Sequence, residues 1–418
     1  MAVSLCTLAC ACSTKKPAGA PQQALEAAVV EYARLATALG ARDSDSLDYA
    51  YPPPEWIADE TRNPPTLAAI RARALAAAER LAPLGGPDVP DVLDATEAGR
   101  RLSLAGQLRA LAARADLLTG HHSSFDEESR VLFGVTLPPL DDEAVRAAHA
   151  ELDRLIPGRG SLAARYESFE RRQLVPAGLM RTVFERALAA CRERTPGDLR
   201  LPAGEGVEVT YVSDTPWNAY SRYHGRYRST IQVNVDYGFS VDGALTLACH
   251  EGYPGHHVQN VLTEERLVVN RRFLEFTIQP MFSRQSLLSE ALAVRAIDVA
   301  FPVDVRTTFE RDVLYPAAGL DAADAARSVA IARAVDRLRL AVADIARSYL
   351  DGNLDFVRAD AALKDRALIP QPVPLLKFLN QYRSYALTYT YGPDWLDARD
   401  PLNSDPRTAL LSTLLSRK

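Results

Sequence analysis

The sequence predicts a mainly α, multi-helical fold with a small antiparallel β hairpin or sheet. Long segments rich in alanine, leucine, arginine and glutamate repeat apolar residues with a helical period, whereas only two short runs alternate in the manner of strands. The chain has 418 residues, of which 47% are hydrophobic and 24% are charged. A chain of this length and composition can build one large core or two fused helical domains.

The amino-terminal part of the chain is predicted to be helical. Residues 66–81 and 95–118 combine a helix-forming composition with charges on one side, and residues 141–155 indicate a further helix with an exposed face. We assign residues 25–160 to an N-terminal helical region and residues 161–418 to a region that carries the functional motifs. The boundary is soft, so the two regions can also form one continuous domain.

Two short runs with strand-like alternation, Gly206–Val212 and residues 229–236, flank a loop rich in aromatic residues. A hairpin or small sheet at this place would form one wall of a cleft, and its edge could hold an extended peptide by strand addition. The alternative is that the aromatic side chains pack the seam between the two regions. His224, in this loop, is a candidate substrate ligand or oxyanion donor, although a lone loop histidine is commonly exposed.

The most informative motif follows an apolar helical segment, residues 244–249. The octet from His250 to His257 reads His-Glu-Gly-Tyr-Pro-Gly-His-His and holds three of the seven histidines of the chain. A His-Glu pair followed closely by another histidine is how zinc hydrolases supply two imidazole ligands and one carboxylate base. The octet therefore predicts a Zn²⁺ site with His250 as a ligand and Glu251 as the general base.

The spacing of the octet predicts a break in the helix. In the usual HExxH motif the second histidine lies one turn after the first, but Pro254 occupies that position here. On an unbroken helix, residues 250 and 256 would lie roughly 9 Å apart and on different faces, too far for two zinc ligands. Pro254 and Gly255 can fold the chain back towards the metal. We favour His256 as the second ligand, with His257 as the alternative or as a support for the ligands.

Two later segments supply further candidates. Glu290 is a lone carboxylate in a strongly apolar helical run, where an unpaired charge is costly and a metal would compensate it. It is therefore the predicted third ligand. Tyr385 and Tyr389 lie one turn apart if their tyrosine-rich segment is helical, so that both can face one cleft. A tyrosine hydroxyl in that cleft is a candidate donor for the oxyanion of a hydrolytic reaction.

Four segments carry a resemblance to a known family: the HExxPGHH octet, Ser289-Glu290-Ala291-Leu292-Ala293, Ser124-Phe125-Asp126, and Trp217-Asn218-Ala219-Tyr220 ahead of Asn234. In these segments, and over roughly residues 25–400, the chain resembles the bacterial family catalogued as domain of unknown function 885. The resemblance implies a mostly helical, zinc-dependent hydrolase, often exported as a lipoprotein, with a site similar in its logic to that of carboxypeptidase Taq and other HExxH-plus-Glu peptidases. Relatives typically have Glu-Gly-Trp-Ala where this chain has Glu-Ala-Leu-Ala, which alters the pocket beside Glu290.

The sequence therefore predicts a zinc-dependent metallopeptidase that cleaves peptide amide bonds with metal-activated water and Glu251 as the base. Two alternatives remain open. One is a metallohydrolase of a non-peptide amide or ester, and the other is a lipid-anchored binding protein whose metal site is structural or vestigial. The presence of Glu251 argues against a structural site, which needs closed coordination and has no use for an adjacent base.

The N terminus and the charge balance bear on location and partners. Residues 1–24 are predicted to hold an export signal with a lipobox and a linker, in which Cys10 or Cys12 carries a lipid anchor to the cell envelope; without such a signal the location is cytoplasmic. No later segment is long and apolar enough to span a membrane. A net charge of −5 gives no basic footprint for nucleic acid. Cys191 and Cys249 are expected to be separate thiols on different helices.

Overall fold

The structure is a computed structural model and describes residues 20–81, 96–215 and 217–399. The predicted lipobox, with Cys10 and Cys12, lies outside these ranges. Within them the fold is mainly α-helical with two small sheets, so the predicted fold class is confirmed. Among the described residues, no helix has the length and apolar character that crossing a membrane would require.

Four helices form the N-terminal layer: α1 (Ala20–Arg42), α2 (Pro54–Arg62), α3 (Leu67–Leu81) and α4 (Glu97–Leu117). Alanine and leucine recur at helical spacing in this part of the chain, and buried side chains of α1, α3 and α4 form a common core. Thr96 fixes the start of α4 by accepting a hydrogen bond from the N–H of Gly99. The two long helices predicted for residues 66–81 and 95–118 are thus present as α3 and α4.

Four further helices follow: α5 (Phe125–Phe133), α6 (Asp142–Leu155), α7 (Leu162–Gln173) and α8 (Met180–Glu193). Short polar side chains define where three of them begin, because Ser124, Asp141 and Ser161 each accept a hydrogen bond from a backbone N–H of the first turn. Gly134 ends α5 at a φ of 71°, a left-handed conformation that favours glycine. The helix predicted for residues 141–155 is present as α6.

The described strands form two small sheets. β1 (Leu47–Ala50) pairs with β5 (Ile278–Pro280) in the antiparallel direction, and β2 (Gly206–Val212), β3 (Ala219–Tyr223) and β4 (Arg228–Asn234) form the second sheet in the order β2-β4-β3. The two runs predicted to be strands are β2 and β4, but they pair in the parallel direction, and the antiparallel hairpin of the sheet is formed by β3 and β4. The segment that was expected to be an aromatic loop therefore contains a strand, β3. The same segment connects the parallel strands β2 and β4.

The remaining helices are α9 (Val241–Glu251), α10 (His256–Thr263), α11 (Arg284–Ala300), α12 (Val303–Phe309), α13 (Tyr315–Ala318), α14 (Ala325–Asp336), α15 (Arg339–Leu350), α16 (Phe356–Asp365), α17 (Pro372–Tyr382), α18 (Leu387–Thr390) and α19 (Gly392–Arg399). α10 continues directly into a π-helical segment, Glu264–Val269. α8, α9 and α11 contribute to one large apolar cluster at the centre of the fold. The division of the chain at residue 160 stays a prediction.

A disulfide joins Cys191 of α8 to Cys249 of α9, with the two Cα atoms 5.5 Å apart. The expectation that these cysteines are separate thiols is therefore wrong. The two residues are 58 positions apart and meet only because α8 packs on α9, so their spacing in the sequence could not show the pairing. Both side chains are fully buried. The bond holds the last turn of α9, which carries His250, against α8.

Candidate metal centre and cleft

Three side chains from three consecutive helices meet at one point. His250 lies in the last turn of α9, His256 is the first residue of α10, and Glu290 belongs to α11. One ligand atom from each lies within 4.8 Å of the other two. Oε2 of Glu290 is 3.3 Å from Nε2 of each histidine, and the two imidazole rings meet edge to face with centroids 4.7 Å apart. Two imidazoles and one carboxylate are a donor set that suits Zn²⁺.

A tight turn between α9 and α10 brings the two histidines together. α9 ends at Glu251, and the N–H of Gly255 donates to the carbonyl oxygen of Cys249 at 3.0 Å. A Cβ atom on residue 255 would overlap the carbonyl oxygen of His250, so this close approach requires glycine. The turn therefore starts α10 directly beside the end of α9, and the side chain of His256 lies next to that of His250.

The surroundings of His256 orient its ring. Nδ1 is 3.2 Å from Oγ of Ser289, and that hydroxyl donates to Oε1 of Gln259 at 3.1 Å. Because the hydroxyl proton is used in this way, the serine oxygen accepts a hydrogen bond from Nδ1–H of the histidine. Nε2 is then the ring nitrogen that faces Glu290, and its lone pair becomes available to a metal when Nε2 is deprotonated. This is the tautomer that a metal ligand needs.

His257 lies outside the cluster. Its Nδ1 is 2.8 Å from Oγ of Ser229, and its Nε2 is 2.9 Å from Oε2 of Glu205. The hydroxyl of Tyr253 donates to the same Glu205 oxygen at 2.7 Å. With both ring nitrogens engaged, His257 anchors the turn to β4 and to the segment before β2. The structure therefore brings His256, and not the alternative His257, to the candidate metal centre.

The carboxylate of Glu290 is fixed at one oxygen and open at the other. The hydroxyl of Tyr385 donates to Oε1 at 2.7 Å, whereas Oε2 is buried and has no hydrogen-bond partner. Burial alone would raise the pKa of Glu290, but the charge that His256 can carry holds it well below its usual range. Burial lowers the pKa of His256, yet the Glu290 carboxylate outweighs it and raises the pKa to about 9. A buried carboxylate oxygen without a hydrogen bond, facing two imidazole nitrogens, fits a metal cation.

Glu251 stands beside this cluster without belonging to it. Its Oε1 is 4.0 Å from Nε2 of His250, and its carboxylate accepts a hydrogen bond from the backbone N–H of Ser221 in β3. Burial raises the pKa of Glu251. The side chain lines a cleft together with His250, so it faces the space that a substrate would occupy. This is a suitable position for a general base.

The cluster opens on a cleft of about 640 Å³. Apolar and aromatic side chains form much of its walls: Trp217, Leu247, Val294, Leu375, Phe378 and Tyr389. The ring of Tyr389 is stacked against that of His250 with centroids 6.1 Å apart. A cleft of this size and character, with a few polar groups at one end, is typical of a binding site for a small or extended ligand.

The other predicted site residues lie in different places. Tyr385 is buried and uses its hydroxyl proton on Glu290, so it orients a candidate ligand, while Tyr389 lines the cleft. His224 is exposed, and its Nε2 is 2.9 Å from Oγ1 of Thr230 on the same hairpin. His224 is not among the described residues that line the cleft. The structure thus brings Tyr385 and Tyr389 to the centre but leaves His224 on the surface.

Asp48 of β1 lies near the centre, and the sequence did not indicate it. The hydroxyl of Tyr220 donates to Oδ1 of Asp48 at 2.7 Å. Burial raises the pKa of Asp48 to about 6, and His256 and Glu251 are close enough to influence it. β1 reaches this place through its pairing with β5 and its contacts with β3. No local pattern could have found Asp48, because only tertiary packing brings it to the octet.

Comparison with known proteins adds little to this description. No family model matches the chain, and no curated protein matches it. A solved structure of a candidate lipoprotein from Colwellia psychrerythraea is 14% identical, with a TM-score of 0.47 over 87% of this chain and 68% of that one. A second solved structure, described as BsuCP, is 10% identical, with a TM-score of 0.40 over 95% of this chain and 89% of that one. The chain itself presents a three-residue candidate metal site beside a largely apolar cleft in a mainly helical fold.

Proposed function

We propose that the chain is a zinc-dependent metallopeptidase, a hydrolase of peptide amide bonds. One arrangement carries the proposal: His250, His256 and Glu290 present donor atoms to a single point, and Glu251 stands next to them in the cleft without joining them. A purely structural metal site would need closed coordination and no additional carboxylate. The octet also supports our proposal that the chain belongs to the family catalogued as domain of unknown function 885.

In the proposed reaction, His250, His256 and Glu290 would hold Zn²⁺. When bound, the ion supplies a Lewis acid for the substrate carbonyl and lowers the pKa of water. Glu251 accepts a proton from the attacking water and delivers it to the departing amine, as its position in the cleft allows. Tyr385 keeps Glu290 oriented through its hydrogen bond.

Tyr389 is the donor that we propose for the oxyanion. Its ring lines the cleft beside His250, whereas the hydroxyl of Tyr385 is already engaged with Glu290. Of the two predicted tyrosines, Tyr389 is therefore the one with a side chain on the substrate side. A donor placed at the oxyanion typically contributes about a hundredfold or more to kcat.

The edge of the second sheet supports a peptide as the substrate. β3 is an outer strand of that sheet, and its pairing with β4 is marked by hydrogen bonds from the N–H of Asn234 to Asn218 and from the N–H of His224 to Arg228. Because hydrogen-bonded pairs alternate along antiparallel strands, the peptide groups of Ala219 point away from β4. Ala219 lines the cleft. Its N–H and C=O can therefore pair with the backbone of an extended substrate.

Metal content tests the proposal most directly. We expect plasma emission spectrometry of the purified chain to find about one zinc ion per chain, and we expect its loss in His256→Ala and Glu290→Ala, because each removes a ligand. His224→Ala is the matched control, since it removes an exposed histidine outside the cluster and should keep the zinc. A wild type that binds no zinc after reconstitution would contradict the proposal and favour a binding protein with a vestigial site.

A peptide library then tests the reaction. Wild type should cleave peptides, and Glu251→Gln should keep its zinc but lose about 10²- to 10⁴-fold in rate, because the base is missing. A zinc-loaded wild type that leaves peptides intact and hydrolyses other amides or esters would instead indicate a non-peptide metallohydrolase.

A further inference from the structure

Two acidic side chains of the cleft, Glu167 and Glu170, have no part in the proposed reaction. Glu170 of α7 lines the cleft together with Glu167 and Arg171. Arg171 pairs with Glu167 at 2.8 Å, so the charges of these two exposed side chains offset one another. Glu170 is partly buried, and in the described part of the chain no basic side chain forms an ion pair with it. It is thus a carboxylate in the cleft without a counter-charge.

The surroundings of Glu170 do not supply the missing positive charge. Burial and the nearby Asp242 carboxylate raise the pKa of Glu170 to about 7, against the effect of a hydrogen bond from Tyr166. Asp242 and Glu310 both contact the guanidinium of Arg306, so that one cation already serves two carboxylates. A raised pKa of this origin means that ionised Glu170 would be stabilised by a cation brought into the cleft.

The helix α9 leads from the neighbourhood of Glu170 towards the candidate metal centre. Asp242, which is near Glu170, lies in the first turn of α9, and His250 lies in the last. Thr246, between them, also lines the cleft. Slightly more than two helical turns separate Asp242 from His250, which corresponds to about 12 Å. An extended peptide spans that distance with about three to four residues.

Much of the cleft wall is apolar. Leu247 of α9 lies on one side, and Leu375 and Phe378 of α17 also line this space. Burying a charged side chain against such walls is costly, whereas an apolar side chain gains free energy there. The cleft therefore combines the candidate catalytic residues His250 and Glu251 with apolar walls and with Glu170, which has no basic partner among the described residues.

We propose that Glu170, which lines the same cleft as His250 and Glu251, is a specificity-determining residue that binds a cationic nitrogen of the substrate. The inference rests on the proposed peptidase function and names its substrate class: short peptides with apolar residues next to the scissile bond and a positive charge elsewhere in the peptide. A free amino terminus and a basic side chain present the same charge-assisted hydrogen-bond chemistry to the carboxylate.

A matched peptide series tests this assignment. One apolar peptide is prepared with a free amino terminus, in N-acetylated form, and in N-acetylated form with lysine as its first residue. Wild type should show a kcat/KM about tenfold higher for at least one cationic form than for the neutral form. Which form is preferred identifies the amino terminus or the side chain as the source of the charge. Glu170→Gln should reduce the preference to below about twofold, chiefly through KM, and Glu167→Gln should retain it.

Binding separates this inference from the proposed reaction. Isothermal titration calorimetry of the same peptides with Glu251→Gln should show the same preference in Kd, and the additional change Glu170→Gln should remove it. Cation-dependent binding of this kind without any cleavage by wild type would support the Glu170 site and count against the peptidase proposal alone. Equal Kd and kcat/KM for charged and neutral peptides in wild type, or a preference that survives Glu170→Gln, would overturn the assignment.

Discussion

The hydrogen bond from Tyr385 to Glu290 determines how the third candidate ligand is presented. Tyr385 is 1% exposed, and its hydroxyl lies 2.7 Å from Oε1 of Glu290 and 3.4 Å from Oγ of Ser286. Holding Oε1 in this way leaves Oε2 turned towards the two histidines. A side chain that fixes the orientation of a ligand can matter for metal affinity almost as much as the ligand itself.

Replacing Tyr385 by phenylalanine should weaken the metal site while leaving the core filled. The ring is retained and only the hydroxyl is lost, so we expect zinc affinity to fall by about 10- to 100-fold. Competition with a chromogenic chelator measures this change. Tyr389→Phe is the control, because it should keep zinc affinity and lower kcat by about a hundredfold. Unchanged zinc affinity in Tyr385→Phe would show that Glu290 does not need this support.

Glu205 should make the stability of the chain depend on pH. Burial raises its pKa, but hydrogen bonds from His257 and Tyr253 lower the pKa from 4.5 to about 2. A carboxyl group with a lowered folded-state pKa stabilises the fold above its unfolded pKa, and this contribution is lost as the pH falls through 4.5 towards 2. Glu205→Gln should therefore cost about 1–3 kcal/mol of unfolding free energy at pH 7 and less at pH 3.

Urea unfolding of wild type and Glu205→Gln at both pH values, with a chelator present throughout, measures the difference. Glu208→Gln is a control on the neighbouring strand β2. A deficit of the same size at pH 7 and pH 3 would mean that the charge of Glu205 does not contribute.

Single residues differ in how far the sequence reveals them. Glu290 could be predicted, because a lone carboxylate in an apolar helix is unusual whatever its neighbours are. The sequence favours His256 over His257 as the second ligand but cannot decide between them. The outcome depends on hydrogen bonds to Ser229 and Ser289, which belong to other elements. Asp48 could not be predicted at all, because β1 carries no motif.

The turn between α9 and α10 is sterically demanding. Its backbone passes so close to the end of α9 that a Cβ atom at Gly255 would overlap the carbonyl oxygen of His250. His256 follows immediately. Any displacement of the turn therefore moves a candidate ligand directly, without an intervening flexible segment.

Gly255→Ala should displace the turn and abolish stoichiometric zinc binding. Relieving the overlap requires the backbone to move, and a shift of even about 1 Å is large compared with the tolerance of a metal–ligand bond. Zinc titration and circular dichroism check the result together. Gly197→Ala is the matched control, since no atom lies within 4 Å of a Cβ built there. A Gly255→Ala variant with normal zinc content would contradict the role of this close approach.

Helices were easier to predict than strand pairing. α3, α4 and α6 match the predicted segments closely, because their periodicity is local and continuous. β3 was expected to be a loop, since its five residues are too few for alternation to stand out. The parallel pairing of β2 with β4 depends on contacts between distant residues, which no local pattern records.

For the whole molecule, the disulfide between Cys191 and Cys249 connects two helices of the central apolar cluster. Closing a loop of this length restricts the unfolded chain, so we expect reduction to lower the free energy of unfolding by about 2–4 kcal/mol. Guanidinium unfolding with and without a phosphine reductant measures the effect. The double variant Cys191→Ala, Cys249→Ala should be less stable and insensitive to the reductant. Equal stability of oxidised and reduced wild type would contradict the expectation.

The same disulfide holds the candidate metal ligands in place separately from the surfaces that would contact a substrate. Because α9 is tied covalently to α8 next to His250, the wall that carries the candidate ligands is secured independently of any substrate. Leu375 and Phe378 of α17 and Glu170 of α7 also line the cleft, and they belong to helices other than the two that the disulfide joins. Protein engineers could therefore redesign these surfaces to accept other molecules without rebuilding the centre that performs the chemistry.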